Sequence, residues 1–150
     1  KKFGCLTILN PAPAVKLPED IFHDIDFFTP NETEAGFYLN RKLTSNDDIE
    51  DAAKEFLSKG VKNIVITLGG KGSYFSNKDE SFFLEPLKLK SEVIDTTGAG
   101  DAFNGALSVA LANNFNYSKC LQFATKVAGI STTRLGAAKS MPTQKEIEEY

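Results

Sequence analysis

The chain has 150 residues, of which 41% are hydrophobic and 25% are charged, a composition typical of a globular protein with a core of its own. Its formal net charge is −3 and it contains no basic run, which argues against a nucleic-acid or anionic-membrane partner. No apolar stretch approaches the length of a membrane span. The two cysteines, Cys5 and Cys120, have neither metal-site spacing nor a partner histidine, which favours a reducing, cytoplasmic compartment.

In the first part of the chain, apolar strand patterns alternate with helical ones. The amphipathic segment that follows Ser45 has its apolar residues at helical spacing, with Ser45 as its N-cap and Gly60 just beyond its end. We predict strands at 6–9 and 25–29, a short helix at 17–25, and helices from Asn31 to about Leu39 and after Ser45.

The second part opens with an apolar strand at 63–68 and continues with a hairpin of strands at 73–76 and 81–89. Helices are predicted from Asp101, over 117–132, and after Pro142. This alternation predicts an α/β fold with a largely parallel sheet covered by helices. Such sheets bind ligands beyond the carboxyl ends of their strands, so the loops after Phe28, Leu68 and Ile94 are the candidate site.

The stretch from Asp95 to Gly105 is the most informative part of the sequence. It places a Gly-Ala-Gly turn (Gly98, Ala99, Gly100) before an apolar helix, where free backbone N–H groups favour an anion. Asp101 would repel a bound anion, but it fits a base that accepts a proton while the amides hold developing negative charge. The alternative is purely structural, because Asp is also a common N-cap.

Three further groups of residues have both a structural and a functional interpretation. The strand at 63–68 runs into the glycine-rich segment of Thr67, Leu68, Gly69, Gly70, Lys71 and Gly72, which is either a tight turn or a backbone that approaches a phosphate; it is not a P-loop. Asn31 and Glu34 have the spacing of a capping box. Asp95 and Thr97 are typical turn residues.

Almost the whole chain resembles the ribokinase-like (PfkB) family of carbohydrate kinases, most specifically over Asp95–Gly105. The resemblance implies a Rossmann-like, mostly parallel sheet flanked by helices, with an antiparallel hairpin. It also implies ATP-dependent phosphorylation of a sugar hydroxyl, with Asp101 as general base in contact with the substrate. The amides of Gly98, Ala99 and Gly100 would form the anion hole.

The resemblance further implies ATP, Mg²⁺ and K⁺ as cofactors. The segment 67–72 would line the ATP site, and Thr125 falls where some members contact adenine. Asn31 and Glu34 would order the waters of a phosphate-bound Mg²⁺. The monovalent cation would be bound by Asp95 and Thr97 together with Ser131, Arg134, Gly136 and Ser140, mostly through backbone carbonyls.

The segments 8–14 and 29–35 resemble the family members that phosphorylate D-ribose to D-ribose 5-phosphate; fructose, ketodeoxygluconate and adenosine are the alternative acceptors. The sequence starts without Met and runs directly into a strand, so we expect residues 1–150 to be the C-terminal, nucleotide-binding half of a longer kinase. The N-terminal half would carry the sugar-binding residues and a lid that mediates homodimer formation. We expect this half alone to bind nucleotide without catalysing transfer.

Overall fold

The computed structural model describes residues 3–150, so Lys1 and Lys2 lie outside the described part of the chain. The chain divides into two compact units, one ending at Glu85 and the other beginning at Pro86.

The first unit is built on a five-stranded sheet with the strand order β1-β2-β3-β4-β5. The strands β1, β2 and β3 are parallel, while β3–β4 and β4–β5 are antiparallel. This is an α/β fold with a mixed sheet flanked by helices. Its elements are β1 (Ile8–Leu9), a 3-10 helix (Glu19–Asp24), β2 (Phe27–Phe28), α1 (Glu32–Leu39), α2 (Asn46–Ser58), β3 (Asn63–Thr67), a 3-10 turn (Gly69–Lys71), β4 (Ser73–Asn77) and β5 (Ser81–Leu84).

The core of this unit lies where α1 and α2 pack on the sheet, and it contains the aromatic side chains of Phe22, Phe28 and Phe56. The apolar stripe of α2 is buried as its helical spacing predicts. As predicted, Ser45 caps the helix and Gly60 follows its C-cap residue. The cap is a capping box with Asp48, and the φ of Gly60 is +106°.

The side chain of Asp26 binds the residue that precedes the short strand β1. The carboxylate is almost fully buried, and it accepts hydrogen bonds from the Thr7 N–H at 2.9 Å and the Thr7 hydroxyl at 3.0 Å. Its other oxygen lies 2.7 Å from the Lys62 ammonium. The buried charge is therefore held by several polar partners, as a buried carboxylate requires.

We expect Asp26→Asn to lower the free energy of unfolding by about 1.5–3 kcal/mol, because a buried carboxylate with charge-assisted hydrogen bonds is replaced by a neutral amide. Urea unfolding of the purified chain measures this. Asp51→Asn is the matched control, since Asp51 pairs with Lys54 on the surface at 3.0 Å and should change stability by less than about 1 kcal/mol. Equal losses in the two variants would contradict the role of Asp26.

The second unit is helical. Its main contact is the packing of α3 against α4, and the buried apolar residues of the two helices include Phe103, Leu107 and Leu121. Its elements are α3 (Ala99–Ala112), α4 (Tyr117–Ser131), a 3-10 turn (Ala138–Ser140) and α5 (Gln144–Glu149). Thr143 caps α5, and the helix predicted after Pro142 is confirmed.

Several predicted boundaries are wrong, each for a local reason. The segment 17–25 is a 3-10 helix of six residues rather than an α-helix. The last strand of the hairpin ends at Leu84 instead of residue 89, because Pro86 has no N–H for a ladder. Ile94 does not end a strand: the N–H groups of Ile94 and Asp95 both donate to the carbonyl of Thr132, after the end of α4.

Candidate functional site

In the first unit, Asn31 and Glu34 form the predicted capping box at the start of α1. The Asn31 side-chain oxygen accepts from the Glu34 N–H and a Glu34 carboxylate oxygen accepts from the Asn31 N–H, each at 2.8 Å. The capping interpretation is therefore confirmed. The Asn31 side-chain NH₂ and the second Glu34 oxygen take no part in the box, so these polar groups fit contacts to water in the shell of a hydrated metal ion.

The glycine-rich segment is a tight turn that lies beside this cap. Thr67 forms a parallel bridge with Asn31, and its N–H donates to the Pro30 carbonyl at 3.0 Å. Lys71 points its ammonium toward Glu32 at 3.9 Å. The structure thus brings the Asn31–Glu34 motif and the 67–72 segment together, which the sequence could predict only through the resemblance.

Glycine at two positions of this turn is required by the backbone, because Gly69 and Gly72 have φ values of +56° and +95°. Gly70 is different: its φ is ordinary, and a Cβ there would meet no atom within 4 Å. The fold itself does not require glycine at residue 70, so a side-chain-free surface at this point fits close approach of a ligand.

In the second unit, the turn before α3 forms a cup of backbone amides. Gly98 is the N-cap in the left-handed conformation, and its carbonyl accepts the N–H of Ala102. Within residues 3–150, the N–H groups of Gly98, Gly100 and Asp101 have no hydrogen-bond partner. Ala99, which was predicted to contribute to the same cup, instead donates to the Thr96 carbonyl at 3.2 Å.

The start of α3 corrects the interpretation of Asp101. The helix begins at Ala99, two residues earlier than predicted, and Asp101 is therefore its third residue rather than its cap. The capping alternative for Asp101 is wrong, because Gly98 already occupies the cap position. The carboxylate is exposed, one peptide away from the open amide of Gly100. This arrangement can accept a proton beside a group of anion-binding donors.

Gly98 cannot be replaced by another residue without strain. Its φ is +76°, and a Cβ at this position would lie 2.9 Å from the Ala137 side chain. The turn is therefore packed directly against the segment that follows α4.

Asp95 joins the same two segments. One carboxylate oxygen accepts the Thr97 N–H and the other accepts the Gly136 N–H, both at 2.9 Å. The Thr97 hydroxyl, the Gly136 N–H and the Thr97 N–H, in that order, hold the pKa of Asp95 below its ordinary value of 3.8. The turn interpretation of Asp95 and Thr97 is confirmed, and the carboxylate remains charged at neutral pH.

The other predicted cation ligands lie in this segment. Among the residues that the structure describes, no N–H or hydroxyl donates to the carbonyls of Ser131, Arg134 or Gly136. Ser140 is fully buried, and its hydroxyl donates to the Ala137 carbonyl at 2.7 Å, which leaves its oxygen lone pairs available. The side chain of Arg134 pairs with Glu146 at 3.0 Å. An anionic carboxylate next to unpaired carbonyls fits a monovalent cation bound by oxygen ligands.

The link between Asp95 and Gly136 should depend on pH. Because the folded-state pKa of Asp95 is depressed, its contribution to stability is complete above about pH 3.8 and is lost as pH falls through the lower folded-state value. We expect a carbon-13 NMR titration to place the Asp95 midpoint below 3.8, with the Gly136 amide resonance moving at the same midpoint. In Asp95→Asn the low-pH movement of the Gly136 resonance should disappear. A midpoint at or above the ordinary value would contradict the bonding.

Thr125 lies on α4, and its hydroxyl is a buried polar atom without a hydrogen-bond partner among residues 3–150. Less than 1 Å² of this oxygen is accessible, so a ligand can reach it only if neighbouring side chains move. No group of three or more His, Cys, Asp or Glu side chains that could hold a metal ion occurs in the described part of the chain. Nor does any described helix have the length and apolar character needed to cross a membrane.

The sequence missed three contributors to this site. The N–H of Asp101 joins the cup because the helix starts early, and the Gly136 N–H orients Asp95 across 41 residues. Asn104 donates its side-chain NH₂ to the Gly100 carbonyl at 2.9 Å. Only the last had a local signal, an Asn four residues after the second glycine of the turn.

Residues 1–144 match the profile of the family described as pfkB family carbohydrate kinase. The chain is 39% identical over 150 residues to a ribokinase of Staphylococcus aureus, covering 99% of this chain and 49% of that protein. It is 32% identical over 151 residues to a deoxyribokinase of Salmonella typhi, covering all of this chain and 49% of that protein. The chain thus spans about half the length of the curated relatives it matches.

Solved structures of ribokinases are also similar to this chain. A ribokinase of Thermotoga maritima aligns with a TM-score of 0.88 at 41% identity, over 99% of this chain and 49% of that chain. A ribokinase of Arabidopsis thaliana in complex with ribose and ATP aligns with a TM-score of 0.93 at 30% identity, over 99% and 48% of the two chains.

Two further solved structures contain the other ligands in question. One is described as an E. coli putative ribokinase II with ATP and Mg²⁺; it is 28% identical with a TM-score of 0.73 and covers 87% of this chain and 40% of that one. The other is an Escherichia coli phosphofructokinase-2 with potassium, also 28% identical with a TM-score of 0.73, covering 83% and 40%.

Proposed function

The chain belongs to the pfkB family of carbohydrate kinases, and on this premise we propose that it is the nucleotide-binding half of an enzyme that phosphorylates a primary hydroxyl of a sugar with ATP. The observation that carries the proposal is the turn at the start of α3. There an exposed carboxylate, Asp101, stands beside the free N–H groups of Gly98 and Gly100.

In the proposed reaction, the Asp101 carboxylate accepts the proton of the acceptor hydroxyl. The hydroxyl oxygen forms a bond to the γ-phosphorus of ATP, and the bond from that phosphorus to the bridging oxygen breaks, which releases ADP. The open amides of the cup hydrogen-bond the transferring phosphoryl group while its charge is redistributed. The remaining catalysis is positioning, as in other phosphoryl transfers.

The cations have separate places in this proposal. Asn31 and Glu34 would hold waters of a phosphate-bound Mg²⁺ through the polar atoms that their capping box leaves unused. Asp95 and the carbonyls of Ser131, Arg134 and Gly136 would hold K⁺, with Ser140 and the Thr97 carbonyl as further ligands. Bound Mg²⁺ would neutralise phosphate charge, and K⁺ would add positive charge next to the cup.

The nucleotide would be bound by the turn at 67–72 and by Thr125. Support comes from the unhindered backbone at Gly70. Lys71 is exposed beside Glu32 and is available to meet phosphate charge.

We propose D-ribose as the acceptor because several relatives at 30–39% identity are ribokinases, and the Arabidopsis thaliana structure contains ribose and ATP. A coupled ADP-release assay on the full-length protein, with ribose, deoxyribose, fructose, ketodeoxygluconate and adenosine, decides between acceptors. The expected result is the highest kcat/KM with ribose and ribose 5-phosphate as product. Preference for another acceptor would reject ribose, and no ADP release with any of them would reject the kinase.

A second proposal concerns the chain as it stands. Because it spans about half of its relatives, we propose that residues 1–150 alone bind ADP without phosphorylating sugars. We also propose, from the family resemblance alone, that the complete protein is a cytoplasmic homodimer. Calorimetric titration with ADP and the same coupled assay, performed on the 150-residue chain, test this. Turnover comparable to that of the full-length protein would contradict it.

A further inference from the structure

We propose that Asn104 is a positioning residue that fixes the peptide group carrying one donor of the anion-binding cup; the inference rests on the proposed function. Its side-chain NH₂ donates to the carbonyl of Gly100 at 2.9 Å. The proposed reaction has no direct use for this amide side chain.

The geometry follows from the planarity of the peptide bond. The Gly100 carbonyl and the Asp101 N–H belong to one peptide group and point in opposite directions. Holding the carbonyl on the helix side therefore aims the Asp101 N–H outward, where it has no partner among residues 3–150. The nitrogen of the same peptide is bonded to the Cα of Asp101, so the orientation of the peptide also affects the position of the Asp101 side chain.

This peptide lies in the first turn of α3, and the Asn104 side chain adds a second hydrogen bond to the one that the helix gives its carbonyl. Gly100 has no side chain, a Cβ there would touch nothing within 4 Å, and Gly98 two residues earlier is left-handed. Glycine-rich backbone has more conformational freedom than any other. A hydrogen bond to the carbonyl also polarises the peptide and strengthens its N–H as a donor. Asn104 thus acts on the cup through Gly100, one helical turn away from the reacting groups.

Two similar hydrogen bonds farther along α3 and at its C-cap provide control variants for Asn104. Asn113 donates its side-chain NH₂ to the Val109 carbonyl at 2.8 Å, the same bond to the fourth preceding residue at the far end of the helix. Ser108 donates its hydroxyl to the Asn104 carbonyl at 2.8 Å, which shows that Ser makes this type of bond in α3. Asn104→Ser should therefore retain the restraint that Asn104→Ala removes.

The test compares Asn104→Ala, Asn104→Ser and Asn113→Ala in the full-length protein. We expect Asn104→Ala to lower kcat by about 3- to 10-fold with the KM for ATP unchanged, because the aimed N–H matters most in the transition state. Asn104→Ser should recover most of the loss, and Asn113→Ala should match the wild type. Equal kcat values for Asn104→Ala and Asn113→Ala would overturn the inference.

A second readout does not depend on activity. The amide proton resonance of Asp101, followed by NMR without nucleotide, should move upfield in Asn104→Ala, return in Asn104→Ser and stay in place in Asn113→Ala. An unchanged Asp101 resonance in Asn104→Ala overturns the inference even if the kinase is active. If the wild type phosphorylates no acceptor, the proposed function fails, and this resonance still decides the role of Asn104.

Discussion

Replacing Asp101 by Asn in the full-length protein should lower kcat by about 10²- to 10⁴-fold, the range typical of a general acid or base. The amide has nearly the same shape but cannot take the proton of the acceptor hydroxyl. Binding of ATP should stay close to that of the wild type, because the cup N–H groups, the 67–72 turn and Thr125 are all unchanged. Steady-state kinetics with ribose and calorimetric titration with an ATP analogue measure the two effects.

The control for this variant is Asp47→Asn. Asp47 is also an exposed acid in the first turn of a helix, α2, so its loss removes the same favourable interaction with a helix N-terminus. It should leave kcat unchanged. A near-normal kcat for Asp101→Asn, or an equal loss in both variants, would reject Asp101 as the base.

Gly100→Ala should reduce kcat/KM by about 10²-fold without destabilising the protein. In the structure, the new Cβ would meet no atom within 4 Å and the backbone is not left-handed, so the fold tolerates alanine. Alanine in a helix is even favoured over glycine, by about 1 kcal/mol. The Cβ would, however, add bulk to the glycine turn on which the phosphoryl group is proposed to lie, and misplacement by about 1 Å costs a similar factor.

Gly105→Ala is the matched control, because Gly105 lies in the same helix, is exposed and also has no atom within 4 Å of a built Cβ. Thermal unfolding should show both variants at least as stable as the wild type, while only Gly100→Ala loses activity. Full activity in Gly100→Ala would mean that the phosphoryl group does not approach this turn.

Features set by neighbouring residues could be predicted from the sequence. The capping boxes at Asn31 and Ser45 and the stripe of α2 depend on spacings of three and four residues, which a sequence displays directly. The hairpin of β4 and β5 likewise has its polar turn at 77–80. These local rules produced the correct fold class.

Features that depend on distant residues could not be predicted. Val93 and Ile94 are an apolar pair that reads as a strand, yet the backbone of Ile94 is bound to Thr132 and both side chains are more than half exposed. The helix start at Ala99 depends on Gly98, whose left-handed turn is packed against Ala137. The bond from Gly136 to Asp95 spans 41 residues and leaves no local pattern.

The most direct measurement of the central claim is a crystal structure of the full-length protein with ADP, aluminium fluoride and D-ribose. We expect the planar fluoride group to accept hydrogen bonds from the N–H groups of Gly98, Gly100 and Asp101, with the Asp101 carboxylate on the primary hydroxyl of ribose. A fluoride group held by other residues, or an Asp101 carboxylate away from every acceptor hydroxyl, would contradict it.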